Sequence, residues 1–418
     1  MTRCVIIGGG VAAASTIAGL RDRGFDGDIT LVGDEPHVPY ERPPLSKEFL
    51  TGAWGLADIQ INSPGWYADH GVVLALGVRA ETVDVSNHCV VLSDDRVIDY
   101  DTVVLATGSR ARVLPGFAGE RVHAIRTVAD TTRLVDRLER GRHLAILGGG
   151  FVGCEVAAVA VERGLQVTLF EPGDRVLQRI GATEIELAIG RVHAERGVDI
   201  RTGVHVTSML ETTAGVELTT TDGMVLCDDL LVGVGSIPNT EIAVQAGLNV
   251  SDGVTTDEFG RTSADDVFAI GDVASRFHPT HGRHIRVEHH DTAMRHGQYL
   301  ARTLTGEPTA FTEEHYFWSH QYDHQIQSVG GHYSGPGTRV LRGSLHSLSL
   351  SVITMHENRI RSIVALDRPR DILQIRKLIG TPHNVTEAQL ADEGFDLKSL
   401  APPRQRPTTT RNRERVRA

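Results

Sequence analysis

The sequence predicts an α/β protein: two Rossmann-like dinucleotide-binding domains followed by a small C-terminal α+β domain. Three observations carry that prediction. A pattern of apolar strand, glycine cluster, helix, second strand and terminal acid spans residues 143–174. The same pattern occurs at residues 3–35. From Phe311 the composition shifts to short alternating strands with one or two helices and no glycine fingerprint.

In the first unit the strand runs into Gly8 and Gly10, which hold the first two glycine positions, and Ala13 stands at the third, a replacement the fingerprint tolerates. Asp34 and Glu35 close its second strand. The segment PHVPYERPPLSKEFL, residues 36–50, is proline-rich and reads as a stiff extended loop before a short helix. Lys47 in this loop is a candidate for a fixed positive charge beside a cofactor; the plainer alternative is a surface lysine. Residues 72–107 alternate like strands, and the last, DTVVLATG, delivers Thr107 and Gly108 to a ligand at its C-terminal end. Leu114-Pro115-Gly116 marks a turn where the chain crosses between domains.

In the second unit each glycine has a separate task. Gly148 permits the tight turn out of the strand, Gly150 lets a pyrophosphate approach bare backbone, and Gly153 lets helix and strand pack closely. A helix expected over 152–163 presents free N–H groups and a partial positive charge to phosphates. Glu171, about 20 residues on, is placed to accept hydrogen bonds from a ribose 2′-hydroxyl. A βαβ unit that merely packs tightly is the bland alternative, but strand, glycines, helix, strand and acid in register are more specific than a lone glycine motif. Two fingerprints in one chain imply two dinucleotides and electrons passing between them. Further on, a helix is expected over 183–196. Gly235, in LLVGVGSIPNT, either lets a nicotinamide ring approach or simply forms a turn. The strand VFAIGDVAS ends in Gly271 and Asp272, whose carboxylate either accepts from ribityl hydroxyls or caps a helix. Six histidines follow, His278, His281, His284, His289, His290 and His296; the first three sit in a Pro/Gly-containing loop without a helical i, i+4 pair and without acidic neighbours, so no metal is expected.

Bulk properties narrow the function classes. At 418 residues the chain has room for several domains. Its 40% hydrophobic and 23% charged residues are those of an ordinary globular protein. A net charge of −11 argues against general nucleic-acid or anionic-membrane binding. No apolar run reaches the ~18 residues of a membrane span, and MTRCVIIGGG enters a strand at once rather than reading as a signal peptide, so a cytoplasmic location is expected. Cys4, Cys89, Cys154 and Cys227 form no CxxC pair, which excludes a disulfide or zinc framework and leaves no thiol pair to receive electrons. The expected division is a FAD-binding domain in two parts, 1–112 and 245–311, a NAD-binding domain at 113–244, a C-terminal interface domain at 312–400 and a disordered tail at 401–418.

Taken together, IIGGGVAA, LVGDEPHVPYERPPLSK, VVLATGSRARVLPG, LAILGGGFVGCEVAA, VFAIGDVAS, VEHHDTAMRHGQ and FWSHQYDHQIQSVGG resemble one family. It is the FAD-dependent NADH:ferredoxin reductases of oxygenase systems, which have a glutathione-reductase-like fold. The resemblance covers residues 3 to about 400. It implies that FAD lies on Gly8, Gly10, Val11 and Ala12, with Asp34 or Glu35 at the ribose and Lys47 beside the isoalloxazine. Ala80, Thr107, Gly108 and Arg126 would complete that site. Asp272 would hold the ribityl chain, with His290 at the pyrimidine edge and Trp318 near the ring and the electron exit; Gly271 and Glu288 are counted with the cofactor-binding residues. For NADH it implies Gly148, Gly150, Phe151, Val152 and Gly153 at the pyrophosphate, Glu171 at the ribose and Gly235 beside the nicotinamide. Arg179 is counted with the cofactor-binding residues, although with Arg175 it could instead serve a 2′-phosphate. Glu155 would face Lys47, and Lys47, Glu155 and Trp318 are the implied catalytic residues. The pair His289-His290 departs from relatives and could tune the flavin.

The implied activity passes electrons from NADH through FAD to a 2Fe–2S ferredoxin serving a monooxygenase or dioxygenase. The alternatives on the same fold are an NADH oxidase, a rubredoxin reductase, or a redox-sensing flavoprotein of the apoptosis-inducing-factor type. An acidic ferredoxin needs a local basic face, for which Arg339, Arg342, Arg368, Arg370, Arg376 and Lys377 are the candidates. A monomer or weak homodimer is expected.

Overall fold

The computed structural model describes residues 2–330 and 335–400; the tail expected at 401–418 lies outside them. The first sheet is wholly parallel. Its strands run Val267–Ala269, Thr102–Leu105, Arg3–Ile7, Asp28–Gly33 and Val72–Leu76 across the sheet. The central three are near-continuous apolar runs buried on both faces, which is what a parallel strand covered by helices requires. The second sheet repeats the plan with Val198–Thr202, Gln166–Glu171, His143–Leu147, Asp229–Val232 and Val122–His123. Its outer strand comes from before the glycine motif, whereas the corresponding strand of the first sheet comes from far after it.

The strand-like residues 72–107 divide between two sheets. Val72–Leu76 and Thr102–Leu105 join the parallel sheet, and Ala80–Asp84, Cys89–Leu92 and Val97–Asp99 form a separate antiparallel one. Alternation alone does not distinguish them, because both are half or fully buried on one face.

The helix His290–Leu304 packs on the first glycine helix, Val11–Asp22. The approach is close because glycines face the neighbour: a Cβ on Gly297 would stand 2.5 Å from the Ala12 carbonyl oxygen, and one on Gly19 would stand 2.8 Å from the Ala301 Cβ. Strand Val267–Ala269 and helix His290–Leu304 thus pack with the first unit. Strand Ser109–Ala111 pairs antiparallel with Ser236–Pro238 where the chain passes between the two units. The C-terminal part is a five-stranded antiparallel sheet ordered Tyr316–Gln321, His324–Val329, Arg359–Leu366, Ser349–His356 and Thr338–Ser344, covered by the helix Pro369–Ile375. Among the described residues no helix is long and apolar enough to cross a membrane.

His278, His296 and His315 are buried around Phe311, and His296 Nδ1 accepts from the Gly271 N–H at 3.3 Å. Burial holds His296 well below the usual imidazole range and lowers His278 and His193 in the same direction. These groups fold neutral, while the unfolded chain takes up protons near pH 6.5. Their contribution to stability is therefore present above that pH and is lost as pH falls toward the depressed folded values. The urea midpoint should be lower at pH 5.5 than at pH 7.5, and His296→Gln should reduce the difference; an unaltered pH slope in that variant would remove His296 from the account.

Candidate active site

The two glycine turns are built alike. Gly8 adopts φ +116°, and a Cβ there would stand 2.2 Å from the Ala106 carbonyl oxygen. Gly148 adopts φ +99°, with Gly233 O at 2.5 Å from the equivalent point. Each turn thus needs glycine because the chain crosses the end of a neighbouring strand without room for a methyl group. Gly10 and Gly150 differ: no atom lies within 4 Å of a Cβ at either. They are the N-caps of Val11–Asp22 and Phe151–Glu162, and neither helix start has a side-chain cap. Bare backbone facing open space, with first-turn N–H groups uncapped, is a cradle for a pyrophosphate.

A cavity of about 650 Å³ runs from the first cradle toward the second unit, a volume suited to a large cofactor. It is lined by Gly8, Gly10, Val11, Ala12, Asp34, Glu35, Lys47, Thr107, Gly108, Arg126, Gly271, Asp272, Glu288, His290 and Trp318. Phe151, Val152 and Glu155 of the second glycine helix line the same cavity. Of the other expected residues, Gly148, Gly150, Gly153, Glu171, Arg179 and Gly235 lie outside the cavity in the second unit, and Ala80 sits on the antiparallel strand Ala80–Asp84, away from the lining. Cavity walls therefore carry most of the residues expected for FAD, with Ala80 the one not brought to them.

The polar groups are held in place. Asp272 accepts from Arg126 Nη2 at 2.6 Å and from Ser109 Oγ at 3.0 Å, while Arg126 Nε also donates to the Ser109 carbonyl at 2.8 Å. Glu35 accepts from Arg42 at 2.8 Å and from the Tyr40 hydroxyl, and the neighbouring Asp34 is exposed. Thr107 Oγ donates to the Asn239 carbonyl at 2.8 Å, and the Asn239 side-chain amide donates back to the Thr107 carbonyl at 2.8 Å. At the inner wall Lys47 Nζ stands 2.9 Å from Glu155 Oε2, with Glu155 buried and the Lys47 side chain 13% exposed. Glu155 also accepts from Ser46 Oγ at 2.5 Å and Ser319 Oγ at 2.6 Å. The stiff loop and the second helix thus meet at one ion pair.

In the second unit Glu171 accepts from the Gly149 N–H and the Gly173 N–H, each at 2.8 Å, so its carboxylate closes the strand end with a fixed orientation. Arg175 is engaged by buried Glu186 at 2.9 Å, while Arg179 is exposed on the turn Gln178–Ile180. Trp318 stacks on Tyr316, with ring centres 5.7 Å apart and planes at 22°, and meets His290 edge-on at 5.6 Å. His290 Nε2 lies 3.6 Å from Glu41, and the neighbouring imidazole lowers the Glu41 carboxyl below its ordinary value. Burial raises the Cys154 thiol far above its ordinary value, which suits a packing residue.

Tyr40, Arg42, Ser109, Asn239 and Ser319 were not among the expected site residues; Ser109, Asn239 and Ser319 have partners more than a hundred positions away, which nothing in local spacing announces, whereas Tyr40 and Arg42 meet Glu35 within the same loop. The expected basic face needs correction. Arg342 is buried and donates to the backbone carbonyls of Leu390, Asp392, Glu393 and Phe395, so it staples the C-terminal segment and faces no partner. Arg368 is held by Asp371 and Glu393, and Arg339 donates to the Gly181 carbonyl. Arg376 lies over Tyr316 beside Asp291. Arg370 and Lys377 are exposed.

Comparison with known proteins agrees with this geometry. Residues 2–297 match the family model described as pyridine nucleotide-disulphide oxidoreductase, and residues 316–401 match the one described as reductase C-terminal. The chain is 36% identical to rhodocoxin reductase of Rhodococcus erythropolis, over 94% of this chain and 93% of that one. It is 37% identical to the ferredoxin–NAD(+) reductase component of the anthranilate 1,2-dioxygenase system of Burkholderia cepacia, over 95% and 98%. The crystal structure of the covalent putidaredoxin reductase–putidaredoxin complex superposes with a TM-score of 0.91 at 33% identity, covering 96% of this chain and 98% of that chain.

The two glycine positions should separate experimentally. Gly10→Ala should leave the melting temperature of the flavin-free protein unchanged while reducing the flavin retained on purification. Gly8→Ala should lower both, since its backbone strain alone costs about 1–3 kcal/mol. Equal melting temperatures for the two flavin-free variants would contradict the geometry.

Proposed function

This chain belongs to the pyridine nucleotide-disulphide oxidoreductase family, within the ferredoxin–NAD(+) reductases of oxygenase systems, and on that premise we propose that it carries electrons from NADH through FAD to a 2Fe–2S ferredoxin serving a monooxygenase or dioxygenase. The observation that supports this most directly is the shared cavity: residues of both glycine helices line one space. Two dinucleotides seated on those helices would meet end to end there.

FAD bound in the cavity supplies the conversion of a two-electron donor into single-electron deliveries. The residues supply position and charge. The cradle at Gly8–Ala12 holds the pyrophosphate, and Asp272, fixed by Arg126 and Ser109, accepts hydrogen bonds from the ribityl hydroxyls. Lys47 would place a cation against the inner end of the cavity, where it would offset negative charge on a reduced cofactor. Phe151 and Val152 start the helix that receives the NADH pyrophosphate, bringing the donor's reactive end to the opposite side of the same cavity. Trp318 and Tyr316 lead outward toward Arg376 and the helix Pro369–Ile375. On that helix and just past it, Arg370, Leu373 and Lys377 are exposed at i, i+3 and i+7, giving a small face of two cations around an apolar tip that suits an acidic ferredoxin. The four free cysteines and the need for NADH favour the cytoplasm.

NADH is the preferred donor because the carboxylate of Glu171, locked by two backbone N–H groups, would repel a 2′-phosphate, and Arg175 is engaged by Glu186. Glu171→Ala should lower the NADH-over-NADPH ratio of kcat/KM about tenfold, and an unchanged ratio would end that explanation. The activity itself is tested by anaerobic titration of the purified protein with NADH, followed by a 2Fe–2S ferredoxin. The visible flavin band should bleach with NADH and return on adding ferredoxin; a reduced protein that ferredoxin leaves bleached would favour a sensing role instead. Added salt should slow ferredoxin reduction while leaving NADH-to-ferricyanide turnover nearly constant, whereas parallel responses would count against the basic face.

A further inference from the structure

Glu155 does not end the polar chain that begins at Lys47. Ser319 Oγ, which donates to Glu155 Oε1 at 2.6 Å, accepts from the Gln321 amide Nε2 at 3.2 Å. Gln321 Oε1 lies 2.9 Å from His193 Nε2, and His193 Nδ1 lies 3.0 Å from the Tyr322 hydroxyl. Glu155, Ser319, Gln321 and His193 are all 5% exposed or less.

The chemistry of the groups sets the direction of every bond. The Gln321 amide nitrogen only donates, so its oxygen must accept, and His193 must carry its proton on Nε2. Nδ1 is then bare and accepts from Tyr322. Burial lowers the His193 pKa, in keeping with a neutral ring. Reversing the Gln321 amide would turn the Ser319 hydroxyl away from Glu155 and leave that buried carboxylate oxygen short of a donor. The chain is therefore one-way, from Tyr322 to His193 to Gln321 to Ser319 and into Glu155, where Ser46 and Lys47 donate from the other side.

Stability alone does not call for such a chain, since a fully satisfied buried polar network is about as stable as apolar packing of the same volume. What it adds is geometry. It draws Ser46 and Lys47 from the first unit, Glu155 and His193 from the second, and Ser319, Gln321 and Tyr322 from the C-terminal sheet into one hydrogen-bonded line. We propose that Ser319, Gln321 and His193 are positioning residues for the Lys47–Glu155 pair, fixing where the Lys47 ammonium stands in the cavity and so coupling it to the seating of the C-terminal sheet. The proposal rests on the reading that Lys47 stands beside the flavin.

The test uses full-length protein with its flavin bound and four variants: Ser319→Ala, His193→Phe, His193→Gln and Lys47→Met. The readouts are the flavin midpoint potential, the single-turnover rate of reduction by NADH, the KM for NADH and the melting temperature. Ser319→Ala and His193→Phe should lower the potential and slow reduction about tenfold with little change in KM. His193→Gln keeps a donor toward Gln321 and should recover most of the loss, which a merely structural role would not produce. Wild-type potential and reduction rate in Ser319→Ala, whatever its melting temperature, would overturn the proposal; Ser319→Ala removes a single oxygen and so decides the matter even if His193→Phe does not fold. Lys47→Met separates the two levels. If it shifts the potential and the chain variants do not, the chain proposal alone fails; if it too leaves the potential unchanged, the placement of Lys47 beside the flavin fails and the chain proposal with it.

Discussion

A buried carboxylate is costly unless donors surround it, and Glu155 is the point where that requirement organises this protein. Desolvating Glu155 and Lys47 together would cost several kcal/mol without compensation. The compensation comes from three separate parts of the chain: Ser46 and Lys47 from the stiff loop, Ser319 from the C-terminal sheet, and Glu155 itself from the second glycine helix. The carboxylate can be satisfied only when all three are seated. A site that depends on simultaneous seating of three units is also one in which the two nucleotide ends are brought to a single cavity.

The two glycine units show how one local code serves two tasks. Both use a positive-φ glycine pressed on a neighbouring strand and an uncapped helix start. They diverge at the acid. Glu171 is closed by two backbone N–H groups and stands at the edge of its unit. Glu35 is instead clamped by Tyr40 and Arg42, residues of the loop that leads on to Lys47. The first unit's acid is therefore tied to the loop that carries Lys47, whereas the second unit's acid is held by backbone of its own unit.

The C-terminal sheet contributes in two directions. Inward, Ser319 donates to Glu155 with Gln321 behind it, and Trp318 faces the cavity. Outward, Tyr316 and Arg376 lead toward the exposed Arg370 and Lys377. Alternation along one strand makes this possible: Ser319 and Gln321 lie on one face of Tyr316–Gln321, and Tyr316 and Trp318 stack on the other. Although the chain carries a net charge of −11, its cations are not interchangeable: Arg342 is spent on backbone carbonyls, while Arg370 and Lys377 remain at the surface.

What the sequence determined by itself was whatever physical chemistry writes locally. The strand–glycine–helix–strand–acid pattern at 3–35 and 143–174 is contiguous, so the turns at Gly8, Gly10, Gly148 and Gly150 and the acid at Glu171 were legible from spacing alone. Resemblance to a family extended the reading to Arg126, Asp272 and Trp318. The tertiary structure decided what depends on segments far apart in the chain. It brought Lys47 to Glu155 across 108 positions and Ser319 to Glu155 across 164, buried Arg342, left Ala80 off the cavity, and sorted the similar strands of 72–107 into two sheets. Spacing encodes a turn because a turn is made by neighbours; a buried charge is satisfied by whatever the packed chain brings within hydrogen-bond reach, and no local pattern records that.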